Sequence, residues 1–208
     1  MIDMFVMKNS LASLIEDAVN EMPLSCSDIR FMDEERQFLT EHSECVFVKK
    51  NDSLIKIGEC EQAIYFVEEG LLRYWTFDKK EQAEITFQFA GGREFAGSYL
   101  SLWRNVPSTF CIQALCDTVV WKLYRKDLFA FYEHSLNANR MARVFLEDAL
   151  VRKAAHELYL RLSPEERYRK LLKEERYLIK CVPLKYIASY LGVAPQTLSR
   201  IRRLSLND

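Results

Sequence analysis

Between Pro195 and Arg203 the chain reads PQTLSRIRR, and six of these side chains, Gln196, Thr197, Ser199, Arg200, Arg202 and Arg203, are hydrogen-bond donors with no acid among them. Gln can pair with N6 and N7 of adenine, Arg with O6 and N7 of guanine, and hydroxyls and guanidinium groups can hold phosphates. That is chemistry for reading and gripping DNA, and it requires the six groups to stand on one face of a rigid element. Leu198 and Ile201 supply the opposite face at i, i+3 spacing. The preceding stretch, LKYIASYLGV, fits a first helix from Leu184 to Leu191 with Ile187, Ala188 and Leu191 inward, Gly192 where the chain turns sharply, and Val193 plugging the corner. The spacing therefore predicts a helix-turn-helix over 184–203. The same hairpin could instead dock on a protein.

Charge supports the first use. From Ser163 onward there are ten Lys or Arg against five acidic residues, a balance of +5, whereas the rest of the chain holds nineteen against twenty-five, a balance of -6; the whole carries -1. A basic end on an acidic body points to a polyanion contacted at that end only.

The elements that must position this device fall into three blocks. Residues before 45 have helical periodicity, with Leu11, Leu14, Ile15 and Val19 on one face and DEERQFLTEH following. From Cys45 to about Asp127, seven short runs rich in β-branched and aromatic residues alternate with turns, which predicts an antiparallel jelly-roll sandwich or barrel. From Asn137 to Leu162 no Gly or Pro interrupts a long helix. Its Val144, Val151, Ala155, Leu158 and Leu162 form a stripe expected to pair with a second copy, with the adjoining Ala142, Phe145 and Ala149 against the sandwich; the alternative is a helix packed only against its own sandwich. SPEE at Ser163 starts a further helix, with Ser as cap and Pro at its first position, and RYLIKCVP is expected to be extended. The expected architecture is α+β: a 1–136 jelly-roll effector domain with N-terminal helices, a 137–162 dimerisation helix, and a 163–208 DNA-binding domain.

Other chemistry is sparse. The only histidines, His42, His134 and His156, fall off the predicted strands, so a cupin-like metal enzyme, the rival for a jelly roll, lacks its ligand set. The expectation is no enzyme, no metal and no cofactor. The six cysteines, at 26, 45, 60, 111, 116 and 181, show no C-x-x-C pair and read as reduced thiols, most of them expected as small buried hydrophobes, with redox sensing as the alternative. No apolar run is long enough to span a membrane and MIDMFVMKNS has no basic leader, so a cytoplasmic protein is expected.

In these features the chain resembles the Crp/Fnr family of bacterial transcription regulators. Gly58-Glu59 followed by AIYFVEEG resembles that family's first strand-turn glycines, EFAGS at 94–98 its lead into the phosphate-binding cassette, and ASYLGVAPQTLSRI its recognition motif. The resemblance implies a dimeric regulator whose partners are double-stranded DNA, a second copy and RNA polymerase. It implies base contacts from the positions of Pro195, Gln196 and Arg200, of which Pro195 has no long donor side chain. It also implies an effector pocket at Gly97, Ser98, Ser108 and Thr109. Here Ser98 stands where the family's cyclic-nucleotide binders have Glu, and Ser108 where they have Arg. A cyclic phosphate would meet no cation there, so a cyclic nucleotide is not the expected ligand, and the pocket either takes an unknown effector or is filled by Tyr99, Trp103 or Phe110. Arg104 could substitute for the missing cation or simply be solvated. Cys26 and Cys45 alone do not make the iron-sulfur set of Fnr-type members, and with LSLND after Arg203 a wingless version of the motif, without the family's β-hairpin, is the expectation. A regulator working through protein partners without DNA is the remaining alternative.

Overall fold

The computed structural model describes residues 10–22, 28–80 and 82–204; the leader reading, Cys26 and most of LSLND lie outside them. Two helices open the chain, α1 (Ser10–Asn20) and α2 (Asp33–His42). Eight strands follow: β1 (Ser43–Val48), β2 (Ser53–Ile55), β3 (Ala63–Glu69), β4 (Leu71–Asp78), β5 (Ala83–Gly91), β6 (Phe95–Ala96), β7 (Cys111–Ala114) and β8 (Thr118–Tyr124), with the short helix α3 (Tyr99–Arg104) before β7. They make two four-stranded antiparallel sheets, β1-β8-β3-β6 and β2-β7-β4-β5. Then come α4 (Arg125–His134), α5 (Leu136–Tyr159), α6 (Pro164–Glu174), α7 (Arg176–Cys181), α8 (Leu184–Tyr190) and α9 (Pro195–Leu204).

Alternation explains why the strands read clearly. On β3, Ala63, Tyr65 and Val67 enter the core between the sheets, while Phe66 points the other way, against the helices. The first sheet is thus covered on both faces: Val120 faces inward, and Trp121 and Leu123 meet Leu11, Ile15, Phe131 and Met141 of α1, α4 and α5. Buried carboxylates there are ion-paired or hydrogen-bonded. Arg36 bonds Glu16 at 2.6 and 2.7 Å, and Glu35 accepts from Ser135 Oγ, Asn137 Nδ2 at 3.0 Å and the Met32 amide at 2.7 Å. Burial would raise the Glu35 carboxyl, but those three donors outweigh it and hold it below the usual carboxylate range. Gly70, at φ 113°, joins β3 to β4 where a Cβ would lie 2.4 Å from Thr118 Oγ1, so no other residue fits that turn.

Three expectations change. The long helix runs from Leu136 to Tyr159 rather than 137–162, capped by the Ser135 hydroxyl, which accepts from the Ala138 amide; at 1.5 Å per residue it is about 36 Å long. RYLIKC is helical, not extended: Leu178 and Val182 bury at i, i+4 spacing, and the Val182 amide donates to the Leu178 carbonyl at 2.8 Å. Its β-favouring composition is overridden by that packing. Val144 does not belong to a free stripe. It is 2% exposed, packed with Ala138 and Met141 in the chain's own core, because α1 covers the first half of α5. The uncovered apolar face begins later, with Leu146, Leu150, Val151, Ala154, Ala155 and Leu158, all exposed. On its other side α5 turns polar after Phe145, whose ring meets Phe95 at 4.4 Å. There Arg152 bonds both Asp148 and Glu94 at 2.7 Å.

Candidate functional site

The C-terminal helices enclose a core of Tyr168, Leu171, Leu178, Val182, Ile187, Ala188, Leu191, Leu198 and Ile201. The Ser163 hydroxyl accepts from the Glu166 amide at 3.3 Å while Glu166 accepts from the Ser163 amide at 2.8 Å, which starts α6 at Pro164. α8 ends in a Schellman arrangement: the Val193 amide donates to the Ala188 carbonyl at 2.9 Å and the Gly192 amide to the Ser189 carbonyl at 3.0 Å. Gly192 has φ 67°, the left-handed geometry that the sharp turn demands. Val193 is half-buried against the same core, so the turn between α8 and α9 is fixed by two backbone bonds and one apolar contact.

That turn presents α9 with Leu198 and Ile201 buried and Pro195, Gln196, Ser199, Arg200, Arg202 and Arg203 exposed, with Thr197 half-buried. The outward groups expected from the sequence therefore lie on one accessible surface. Ser199 differs in one respect: its hydroxyl donates to the Pro195 carbonyl at 3.0 Å, so its hydrogen is engaged within the helix.

The helix pair is not free of the sandwich. β5 is the edge of its sheet, and Ser189 of α8 completes it: the Thr86 amide donates to Ser189 Oγ at 2.9 Å, and that hydroxyl donates to the Glu84 carbonyl at 3.1 Å. Beneath α8 lies Arg73 of β4, wholly buried. Its Nε donates to Thr86 Oγ1 at 2.8 Å, its Nη1 to Glu84 at 2.7 Å, and its guanidinium carbon sits 3.7 Å from the centroid of the Tyr186 ring. Nη2 has no partner among the described residues. The Phe89 and Tyr190 rings, 5.3 Å apart, continue the contact. None of this joint was foreseen from the sequence, where Arg73 is one polar residue in a strand.

The expected effector residues are only partly gathered. Gly97 donates its amide to the Tyr74 hydroxyl at 3.2 Å, and Ser98 is buried with a hydroxyl lacking a partner among the described residues. Ser108 is buried, but its hydroxyl donates to the Phe110 carbonyl at 2.8 Å; Thr109 is exposed. Between the sheets, the rings of Tyr74, Phe87 and Phe110 pack edge to face or tilted at 5.4 to 6.0 Å, Tyr74 buried and the two phenylalanines half-buried. Phe110, one of the three expected fillers, is half-buried in this ring cluster, whereas Tyr99 and Trp103 stay partly in solvent and Arg104 is exposed at the end of α3. Burial pushes the Tyr74 phenol well above its ordinary range, so it is neutral and no substitute for a cation. His42 stacks on Phe38, His134 closes α4 and His156 lies on α5; no group of three metal-ligating side chains forms among the described residues. No helix among them is long and apolar enough to cross a membrane.

Comparison with known proteins agrees with this architecture. Residues 45–135 match the family described as Cyclic nucleotide-binding domain. No curated protein matches the chain. Among solved structures the chain is similar to FixK2 from Bradyrhizobium japonicum, at 19% identity and a TM-score of 0.66 over 78% of this chain and 83% of that one. It is similar to CLP of Xanthomonas campestris, a c-di-GMP responsive global regulator, at 14% identity and a TM-score of 0.68 over 85% and 93%. The catabolite activator protein of Thermus thermophilus matches at 22% identity and a TM-score of 0.52 over 85% and 84%. These neighbours are Crp/Fnr-type regulators; at such identities they establish a shared fold, a cyclic-nucleotide-binding-type β domain followed by a long helix.

Proposed function

We propose that the protein is a dimeric, sequence-specific DNA-binding transcription regulator of Crp/Fnr type, acting in the cytoplasm and not through cyclic AMP. The observation that carries this reading is the outer face of α9: exposed Gln196, Arg200, Arg202 and Arg203 without an acid, on a helix whose inner face is buried and whose entry turn is rigid. In this reading α8 and α9 form a helix-turn-helix and α9 enters the major groove. Gln196 and Arg200 meet base edges, and Thr197, Arg202 and Arg203 meet phosphate, with Ser199 able to join only by giving up its bond to Pro195. Pro195 starts the helix and makes no donor contact.

Two copies pair along the uncovered half of α5, through Leu150, Val151, Ala155 and Leu158, with Leu146 and Ala154 added and Val144 removed from the expected stripe. Pairing sets the two reading helices about 34 Å apart, one turn of the duplex. RNA polymerase is the downstream partner in this scheme. The aromatic filling of the sandwich and the serines at positions 98 and 108 support a lack of response to cyclic nucleotides, since a phosphate would have to displace packed rings and would gain no cation.

Selection of bound DNA from a random pool tests the proposal. A palindrome with half-sites one helical turn apart is the expected product, and binding should weaken steeply with salt. Recovery of no enriched sequence at low salt would reject it. Calorimetry with cyclic AMP should show no heat of binding at micromolar concentrations.

A further inference from the structure

A cleft of about 880 Å³ opens where the sandwich meets α7. Cys116, in the turn between β7 and β8, lines it from the sandwich, and Cys181, the last residue of α7, lines it from the helical side. Both are exposed free thiols, and of the described cysteines only Cys111 is buried, contrary to the expectation of mostly buried thiols. The other described cysteines are placed differently: Cys111 is buried, Cys60 donates its thiol to Asn105 Oδ1 at 3.2 Å, and Cys45 lies within β1. The cleft also touches other contacts between the sandwich and the helices, apart from the Arg73–Ser189 joint. Its wall includes Glu94, whose carboxylate holds both the Gly91 amide and Arg152 of α5 at 2.7 Å, and Tyr177 of α7, whose hydroxyl would stand 3.7 Å from a Cβ added at Gly91.

We propose that Cys116 and Cys181 form a redox-modification site, in which a peroxide joins them as a disulfide across this cleft and ties the sandwich to the reading helices. One thiol, as its thiolate, attacks one oxygen of hydrogen peroxide and breaks the O–O bond, becoming a sulfenic acid, and the proton it released joins the departing hydroxide as the first water. The second thiol attacks that sulfur, forming the S–S bond and releasing the second water. Two thiols lose two electrons and two protons, and the peroxide is reduced to two waters. The charge of the cleft bears on the oxidant: with Glu94 paired to Arg152, Glu69 and Asp117 still outnumber Lys50 among the described lining residues, which favours a small neutral peroxide over an anionic disulfide such as oxidised glutathione.

A disulfide needs Cα atoms within about 7 Å. Once formed, it would hold α7 at that distance from the β7–β8 turn. α7 passes through Val182 and Pro183 directly into α8, so this constraint would be delivered to the helix that carries the turn into α9. The regulatory consequence rests on the proposed DNA reading; the covalent step does not.

The test uses the full chain, reduced and then exposed to hydrogen peroxide, with peptide mapping and thiol counting. The expected result is a loss of two thiols and of the mass of two hydrogens in the monomer, with a linked peptide pair containing Cys116 and Cys181, reversed by dithiothreitol. Cys116→Ser and Cys181→Ser should each abolish the link, and Cys45→Ser should leave it intact. On the selected DNA site the oxidised and reduced wild type should differ at least tenfold in affinity, and Cys116→Ser should show no such difference. Cys116 and Cys181 remaining reduced, or pairing with other cysteines, overturns the proposal. A clean link with unchanged DNA affinity overturns its regulatory half. Failure of the reduced protein to bind any DNA defeats the proposed function instead, and the linked peptide still reports on the thiols.

Discussion

Replacing Arg73 with Met tests how firmly the reading helices are bolted to the sandwich. Met keeps an unbranched stem and removes the guanidinium. The loss includes two hydrogen bonds from a charged donor, at 2.8 Å to Thr86 and 2.7 Å to Glu84, each worth about 1.5 to 3 kcal/mol. It also includes the 3.7 Å stacking on Tyr186, worth about 2 kcal/mol for a desolvated pair. Against this gross sum of about 5 to 8 kcal/mol stands the cost of burying the cation, which the variant no longer bears. Two features enlarge that offset: Nη2 is unsatisfied, and the Glu84 side chain is 44% exposed and regains water when its partner leaves. The net destabilisation should be about 2 to 3 kcal/mol. For a chain of this size it lowers Tm by about 4 to 12 °C. Urea titration followed by circular dichroism and by tryptophan fluorescence measures it. A cycle with Tyr186→Leu should give a coupling of about 1 to 2 kcal/mol. A loss below about 0.5 kcal/mol, the level of an ordinary surface change, or a coupling of zero, would show that the joint does not hold the two units together.

Three further outcomes are expected. Arg200→Ala should weaken binding to the selected site by about 1 to 3 kcal/mol and relax preference at one base pair, whereas Arg203→Ala should weaken all sequences alike and reduce the salt slope by about 1, both read by gel shift across a salt series. Leu150→Glu combined with Leu158→Glu should leave the helical spectrum intact, since these side chains are 68% and 67% exposed, yet give monomers in sedimentation; Val144→Glu should instead unfold the chain. Glu175→Gln should raise Tm at pH 7. Burial first, then the Glu94 and Glu174 carboxylates, raise the Glu175 carboxyl above its ordinary range, so the folded state takes up its proton more readily than the unfolded one. Stability from this group therefore grows as pH falls through its folded titration, and the advantage of Gln should shrink over the same interval.

The strands and the α8–α9 pair were legible in the sequence because their signals are local. Alternation on β3, the glycine at 192 and the i, i+3 pair Leu198 and Ile201 each constrain the chain within a few residues. What escaped was decided by distant partners. Arg73 looks like a solvent-facing residue in LLRYW until Tyr186, more than a hundred positions later, covers it. Val144 matches the periodicity of Val151 and Leu158, yet α1 covers it and leaves them bare. RYLIKC carries β-favouring residues, and only the C-terminal core reveals that Leu178 and Val182 must share one side. The cleft has no local signature either, since turns from four strand pairs and one short helix build it.

The hydroxyl of Ser189 has a consequence for the isolated sandwich. By pairing with both the amide of Thr86 and the carbonyl of Glu84, α8 closes the open side of β5, a nine-residue strand carrying Ile85, Phe87 and Phe89. Cut the chain after α5 and that side would offer unpaired backbone and apolar side chains to any passing strand, the usual start of intermolecular sheet growth. The C-terminal helices therefore serve the sandwich as a chaperone held in the same chain. A construction lacking them should be prone to precipitate, and any signal that lifts α8 can lift it only briefly or partially before solubility itself is at risk.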